Sequence, residues 1–234
     1  MAKETLIVID YGSGNLSSAA KALERVAGEE ALDCEVLVSS KPDDVLRADR
    51  IVLPGQGAFG DCMANLQGTE GMVEALEEAV LKKRRPFLGI CVGMQLLATR
   101  GLEHGVHAGL DWIPGEVVPL AEHIEPGDPS LKIPHMGWNE LILASYEGVG
   151  EEQDNCHFVL RKTKTCRGEP EHYYFVHSFM FKYEYGHHVL GFTDYGGPVP
   201  AIVGRDNILG VQFHPEKSQQ AGLDLLSGFL HWRP

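Results

Sequence analysis

The stretch PFLGICVGMQLL, residues 86–97, decides how the chain is read. Phe87 to Ile90 is a short apolar run with the look of a buried strand, and from about Val92 to Arg100 the apolar residues take helical spacing. Between them stands Cys91, with Gly89 and Gly93 two residues to either side. A nucleophile on a sharp strand-to-helix turn needs small residues at those two positions, because the turn leaves no room for side chains there. The helix would also aim its first amides and its positive dipole end at the sulfur, which lowers a thiol from its reference pKa of about 8.5. The competing reading is a buried core cysteine that merely neighbours glycines.

Working outward from this elbow, the preceding half of the chain alternates strands and helices. Thr5 to Asp10, Cys34 to Val38 and Arg50 to Leu53 read as strands, and Leu16 to Ala27 and Thr69 to Arg85 have helical spacing. Such alternation predicts a three-layer α/β fold, a mainly parallel sheet with helices on both faces, and chemistry at the carboxyl ends of its strands. After Gly101 the pattern changes to short strands: Glu116 to Leu120, Leu141 to Ala144, Tyr173 to Val176, Val189 to Thr193, Ala201 to Gly204 and Ile208 to Phe213. Gly, Pro and Asp separate them, which predicts hairpins and a mixed, antiparallel extension of the sheet. Residues 121–131 and 145–172 are polar and read as loops, and Ser218 to Trp232 reads as a closing amphipathic helix. No repeat or linker divides the 234 residues, so residues 1–234 are expected to form one domain.

Composition narrows the function classes. Twenty Lys and Arg against 33 Asp and Glu give a net charge of −13, the opposite of what a nucleic-acid surface needs. The one basic cluster, Lys82 to Arg85, ends a helical stretch, where cations complement the dipole. No apolar run approaches the roughly 18 to 20 residues that span a bilayer, and the N-terminal apolar run is too short for a signal-peptide core, so a soluble, cytoplasmic protein is expected. Five cysteines in that setting predict reduced thiols. No CxxC pair occurs, and neither His187-His188 nor His104-x-x-His107 has further ligands at metal-site spacing, so no metal and no cofactor are expected.

A thiolate needs a base. His214-Pro215-Glu216 follows the Ile208 to Phe213 strand and so lies at a carboxyl end. On a regular strand, residues two apart cannot hydrogen-bond ring to carboxylate, but Pro215 ends the strand and could turn the two together. Glu216 would then orient the imidazole, completing a Cys-His-acid triad. His177, in FVHSF, is the competing base, with no neighbouring carboxylate. For an oxyanion, the amide of Val92 could act with those of Gln56 or Gly57 in PGQG, residues 54–57. The glycine-rich YGSGNL, residues 11–16, invites a dinucleotide-binding reading, but it lacks the third glycine and the acidic residue after the second strand. A tight turn capped by Asn15 is the plainer alternative.

LPGQGAFG (53–60), GICVGMQLL (89–97) and GVQFHPEKS (210–218), in this order, resemble the class I, triad-type glutamine amidotransferases, which have a flavodoxin-like core. The resemblance implies hydrolysis of L-glutamine, with Cys91 as nucleophile, His214 as base and Glu216 as its acid. It also implies that Gly55, Gly57, Gln95 and the backbone of His177, Ser178 and Phe179 hold the substrate. DYGSGNL, KIPHMGWNEL and YYFVHSF are similar to the glutaminase subunits of imidazole glycerol phosphate synthases in histidine biosynthesis. That likeness implies a heterodimer with a separate (β/α)8-barrel cyclase subunit, to which ammonia passes, with Asn15 and Trp138 at the interface. Other expectations remain: an amidotransferase for another acceptor, a free gamma-glutamyl hydrolase, and a catalytically silent binding module, which would be expected to lack a member of the triad.

Overall fold

The computed structural model describes residues 3–124, 131–144 and 156–234. The first half alternates as β1 (Glu4–Ile9), α1 (Leu16–Glu29), β2 (Cys34–Ser39), α2 (Pro42–Arg47), β3 (Arg50–Gly55), α3 (Phe59–Gly68), α4 (Met72–Leu76), β4 (Phe87–Cys91) and α5 (Val92–Gln95). Three short strands follow, β5 (Arg100–Gly101), β6 (His107–Ala108) and β7 (Gly115–Pro119), then β8 (His135–Glu140), β9 (Ile142–Leu143), β10 (His172–His177) and β11 (Phe179–Tyr183). The chain closes with β12 (Val189–Asp194), β13 (Pro198–Arg205), β14 (Ile208–Val211) and α6 (Gln219–His231).

Eight strands form the central sheet in the order β2-β1-β3-β4-β14-β13-β12-β9. Its first five strands are parallel, and β13, β12 and β9 extend it antiparallel. The anticipated parallel core with an antiparallel extension is therefore what the chain forms. Every residue of β3 and of β4 is buried, so both faces of the sheet are covered, as parallel sheets require. Among the described residues, a ribbon of β8 and β10 and a four-stranded sheet, β11-β7-β5-β6, complete the strands.

Several expectations need correction. The helix after Cys91 stops at Gln95 and does not reach Arg100. The carbonyls that would continue it are taken by residues 110–113: Leu110 bonds Leu96, Trp112 and Ile113 bond Leu97, and Asp111 bonds Ala98. Gly109 permits this crossing, since a Cβ there would strike the Ala98 carbonyl. The Thr69 to Arg85 helix is shorter, α4 running on into a π-helical turn at Glu77–Lys82. Its basic end is internally paired: Lys82 with Glu78 at 3.0 Å, Arg84 with Asp206 at 3.3 Å and Arg85 with Asp49 at 3.2 Å, while Lys83 Nζ donates to the Leu46 carbonyl at 3.2 Å. Asn15 occupies the N-cap of α1 but makes no side-chain capping bond. Not all cysteines are free: Cys156 and Cys166 form a disulfide, their Cα atoms 5.9 Å apart, because short turns at Phe158–Leu160 and Thr165–Arg167 fold the segment back on itself. Of the two regions read as loops, 125–130 and 145–155 lie outside the described residues. Among the described residues, no helix is long and apolar enough to cross a membrane.

Candidate active site

The carboxyl ends of β3, β4 and β14 lie side by side, with Gly55 paired to Cys91 and Val211 to Ile90. At the end of β4 the chain reverses sharply. Cys91 has φ 56° and ψ −112°, a positive-φ conformation outside the standard regions that costs a non-glycine residue of order 1–3 kcal/mol and clusters at functional sites. The crossing behind it is tight: a Cβ on Gly93 would land on the Leu53 carbonyl, and one on Gly89 would come within 2.5 Å of the Gly93 carbonyl oxygen. These two glycines let α5 start directly against the sheet, which leaves Cys91 buried at the floor of a cavity.

That cavity, about 280 Å³, is lined by Gln56, Gly57, Cys91, Val92, Gln95, His177, Ser178, Phe179 and His214, so nine of the nominated residues converge. Gly55 is absent from the lining and lies buried behind it, packed against Val92 and Gly93. Asn15 and Trp138 are also outside it. Trp138 stands on the exposed face of the β8/β10 ribbon, edge-on to Tyr174 at 5.9 Å. A larger groove of about 350 Å³ at Thr99, Arg100, Glu116 and Tyr183 contains an Arg100–Glu116 ion pair but neither a thiol nor a histidine.

β14 ends at Val211, and Pro215–Lys217 forms a single helical turn that swings Glu216 back onto His214. Nδ1 of His214 lies 2.9 Å from Glu216 Oε1. The turn is secured by the Ser218 hydroxyl, which donates to the His214 carbonyl at 2.6 Å and accepts from Tyr174 N of the ribbon at 3.0 Å. Burial opposes charge on the His214 ring, but its hydrogen bonds to Cys91 and Glu216 outweigh burial and push it up to about 9. A ring charged at neutral pH beside the buried Cys91 sulfur can deliver a proton to a leaving group. His177 faces the other way in this respect. Burial pulls it down to about 4, and its Nδ1 is occupied by the Phe179 carbonyl at 2.9 Å.

The sequence profile of the glutamine amidotransferase class-I family matches residues 7–231. The chain belongs to that family. The amidotransferase is 53% identical over 228 residues to the imidazole glycerol phosphate synthase subunit HisH of Rhodospirillum rubrum, an alignment covering 97% of this chain and 98% of that one. It is 52% identical over 233 residues to the protein of the same name from Zymomonas mobilis, covering 100% and 98%. Among solved structures, a glutamine amidotransferase superposes with a TM-score of 0.62 at 16% identity, over 95% of this chain and 98% of that one, a likeness of fold.

In and behind the cavity of the amidotransferase stand residues that sequence patterns did not single out. Glu103 lines it, with Oε2 accepting from Phe59 N at the start of α3 at 2.7 Å. Gln212 Nε2 lies 3.7 Å from Cys91 Sγ, and its Oε1 accepts from Gln95 Nε2 at 3.0 Å. Behind the Gln56 to Gly57 turn, the Ser13 hydroxyl donates to the Gln56 carbonyl at 2.5 Å. Gln212 sits inside GVQFHPEKS and Ser13 inside DYGSGNL, so both were within reach of motif reading; Glu103 follows Cys91 at a spacing that carries no local signal.

Proposed function

We propose that this chain hydrolyses L-glutamine and delivers the ammonia to a (β/α)8-barrel cyclase subunit that makes imidazole glycerol phosphate and aminoimidazole carboxamide ribotide in histidine biosynthesis. The observation that carries the reading is that Cys91 and His214 line one cavity, with Glu216 bonded to the far side of the His214 ring and that ring pushed up to about 9. Glutamine enters with its carboxamide toward Cys91. Glu103 is the acidic group at hand for the substrate's ammonium, and Gln95 with the backbone of His177 to Phe179 borders the rest.

Cys91 passes its proton to His214 Nε2, and the sulfur attacks the carboxamide carbon. Val92 and Gln56 or Gly57 supply amides for the oxyanion, an electrostatic contribution of several kcal/mol in acyl transfer. The C–N bond breaks as His214 gives its proton to the departing nitrogen, leaving a glutamyl thioester and free ammonia. Water then attacks the thioester with His214 as base, and glutamate leaves with the thiol restored. Glu216 holds the imidazole in the tautomer that keeps Nε2 toward the sulfur. Names borne by relatives 49–53% identical support the partner, and an exposed Trp138 on the ribbon is a fitting anchor for it.

Glutamate release by the purified chain, alone and with the barrel subunit and its acceptor, tests this. Near-idle turnover alone and strong stimulation by partner and acceptor are expected. Full activity of the isolated chain would make it a free amide hydrolase, and none under any condition a silent binding module.

A further inference from the structure

His177, which lines the cavity, is paired with a second buried histidine, His135, that has no part in the proposed chemistry. His135 and His177 stand opposite each other across β8 and β10, 3% and 6% exposed. His135 Nδ1 lies 3.0 Å from His177 Nε2. The flanking groups determine which nitrogens carry protons. A carbonyl only accepts, so His177 is protonated on the Nδ1 that meets the Phe179 oxygen. Burial keeps the ring neutral, so its Nε2 accepts, and His135 must donate from Nδ1. His135 is pulled down to about 4 by burial and by His177, which leaves its Nε2 to accept from Asn139 Nδ2 at 3.3 Å. Asn139 cannot be turned round, because its Oδ1 accepts from Glu140 N and its Nδ2 also donates to the Asp194 carbonyl, each at 2.8 Å. Phe175 and Tyr195 stack on the His135 ring at 4.9 and 3.9 Å.

At its far end this chain meets the cavity wall. The Phe179 carbonyl also accepts from Gln95 Nε2 at 3.3 Å, and Gln95 leads through Gln212 to Cys91. We propose that His135 is a positioning residue for the amide substrate: a one-way chain of hydrogen bonds from Asn139 through His135 and His177 to the Phe179 carbonyl holds the 177–179 segment in its binding geometry. His135 thus sets substrate affinity without touching the reacting atoms. The proposal rests on the glutaminase reading of the cavity. It also gives the ribbon a mechanical role. His135 and Asn139 face inward, while Met136 and Trp138 face outward, 61% and 47% exposed. A partner docked on the outer face therefore bears on a strand whose inner face positions the cavity wall.

The test compares glutamine-driven and ammonium-driven synthesis in the assembled complex for the native chain, His135→Phe and His135→Asn. Phenylalanine keeps the ring stack and loses every donor, whereas asparagine places an amide N–H near the Nδ1 position. One lost buried hydrogen bond predicts a KM for glutamine raised about tenfold in His135→Phe, with kcat within about threefold. Ammonium-driven synthesis stays unchanged, and His135→Asn recovers KM to within about threefold of native. A native-like KM in His135→Phe, or an Asn variant no better than Phe, overturns the proposal. A native complex with no glutamine-driven turnover defeats the glutaminase reading instead, and the substrate role of His135 falls with it. Nitrogen-15 NMR of the native histidine rings needs neither activity nor a variant that folds. The expected signature is neutral His135 and His177, each protonated at Nδ1 alone; a proton on His177 Nε2 overturns the chain.

Discussion

His214, at the turn after β14, and His177, at the end of β10, border one cavity, 4% and 6% exposed, and are shifted in opposite directions. Burial disfavours charge on both rings, so burial does not separate them. Their partners do. His214 has the Cys91 sulfur on one side and the Glu216 carboxylate at 2.9 Å on the other, and it holds its proton to about pH 9. His177 has a carbonyl on one nitrogen and a neutral ring on the other, and it stays neutral down to about pH 4. One wall of the cavity can move a proton at neutral pH, and the other can only hold a shape. A histidine's position beside a thiol is thus a poor guide to its task until the second nitrogen's partner is known.

The two histidines separate most readily in kinetics. His214→Ala is expected to lower glutamine-driven kcat by about 10⁴-fold, because members of a triad act as a unit. His177→Ala should keep kcat within about tenfold and show its cost in KM, since it loses only a positioning bond. Steady-state rates in the complex decide, and equal losses of kcat would erase the distinction between the walls.

The outer face of the ribbon gives a smaller effect. Trp138→Ala is expected to weaken binding of the barrel subunit by about 10- to 100-fold, the range for an aromatic anchor. The thermal midpoint should hardly move, because the ring is half exposed. Titration calorimetry checks this, and unchanged affinity would remove Trp138 from the interface.

The smallest effect is in stability against pH. The folded pKa of His214 is raised, so its contribution is fully present below the unfolded value of about 6.5 and is lost as pH rises through about 9. His135 and His177 are depressed to about 4, so their contribution is present above about 6.5 and is lost as pH falls through 4. Denaturation midpoints should fall from pH 6.5 toward 9 in the native chain, and less so in His214→Ala. An equal slope in both would show that the raised His214 is not the cause.

What could be seen in the sequence followed from how local each feature is. The elbow and His214-Pro215-Glu216 were legible because their geometry lies within a few residues: two glycines flank one cysteine, and a proline turns a carboxylate back onto a ring. The early end of α5 was not, because residues 110–113 take its carbonyls. His135 was missed for a related reason. Its partner lies 42 residues away on another strand, and KIPHMGWNEL, broken by Pro134 and Gly137, lacks the alternation that marks a strand. Contacts across strands carry the neutral wall, and contacts along the chain carry the charged one.

The most direct test of the account is glutamine-driven against ammonium-driven synthesis by the Cys91→Ala chain in complex with the barrel subunit. Synthesis with glutamine should vanish while synthesis with ammonium stays at the native rate, because only the release of ammonia depends on the sulfur. Glutamine-driven product from the Cys91→Ala complex would contradict the account.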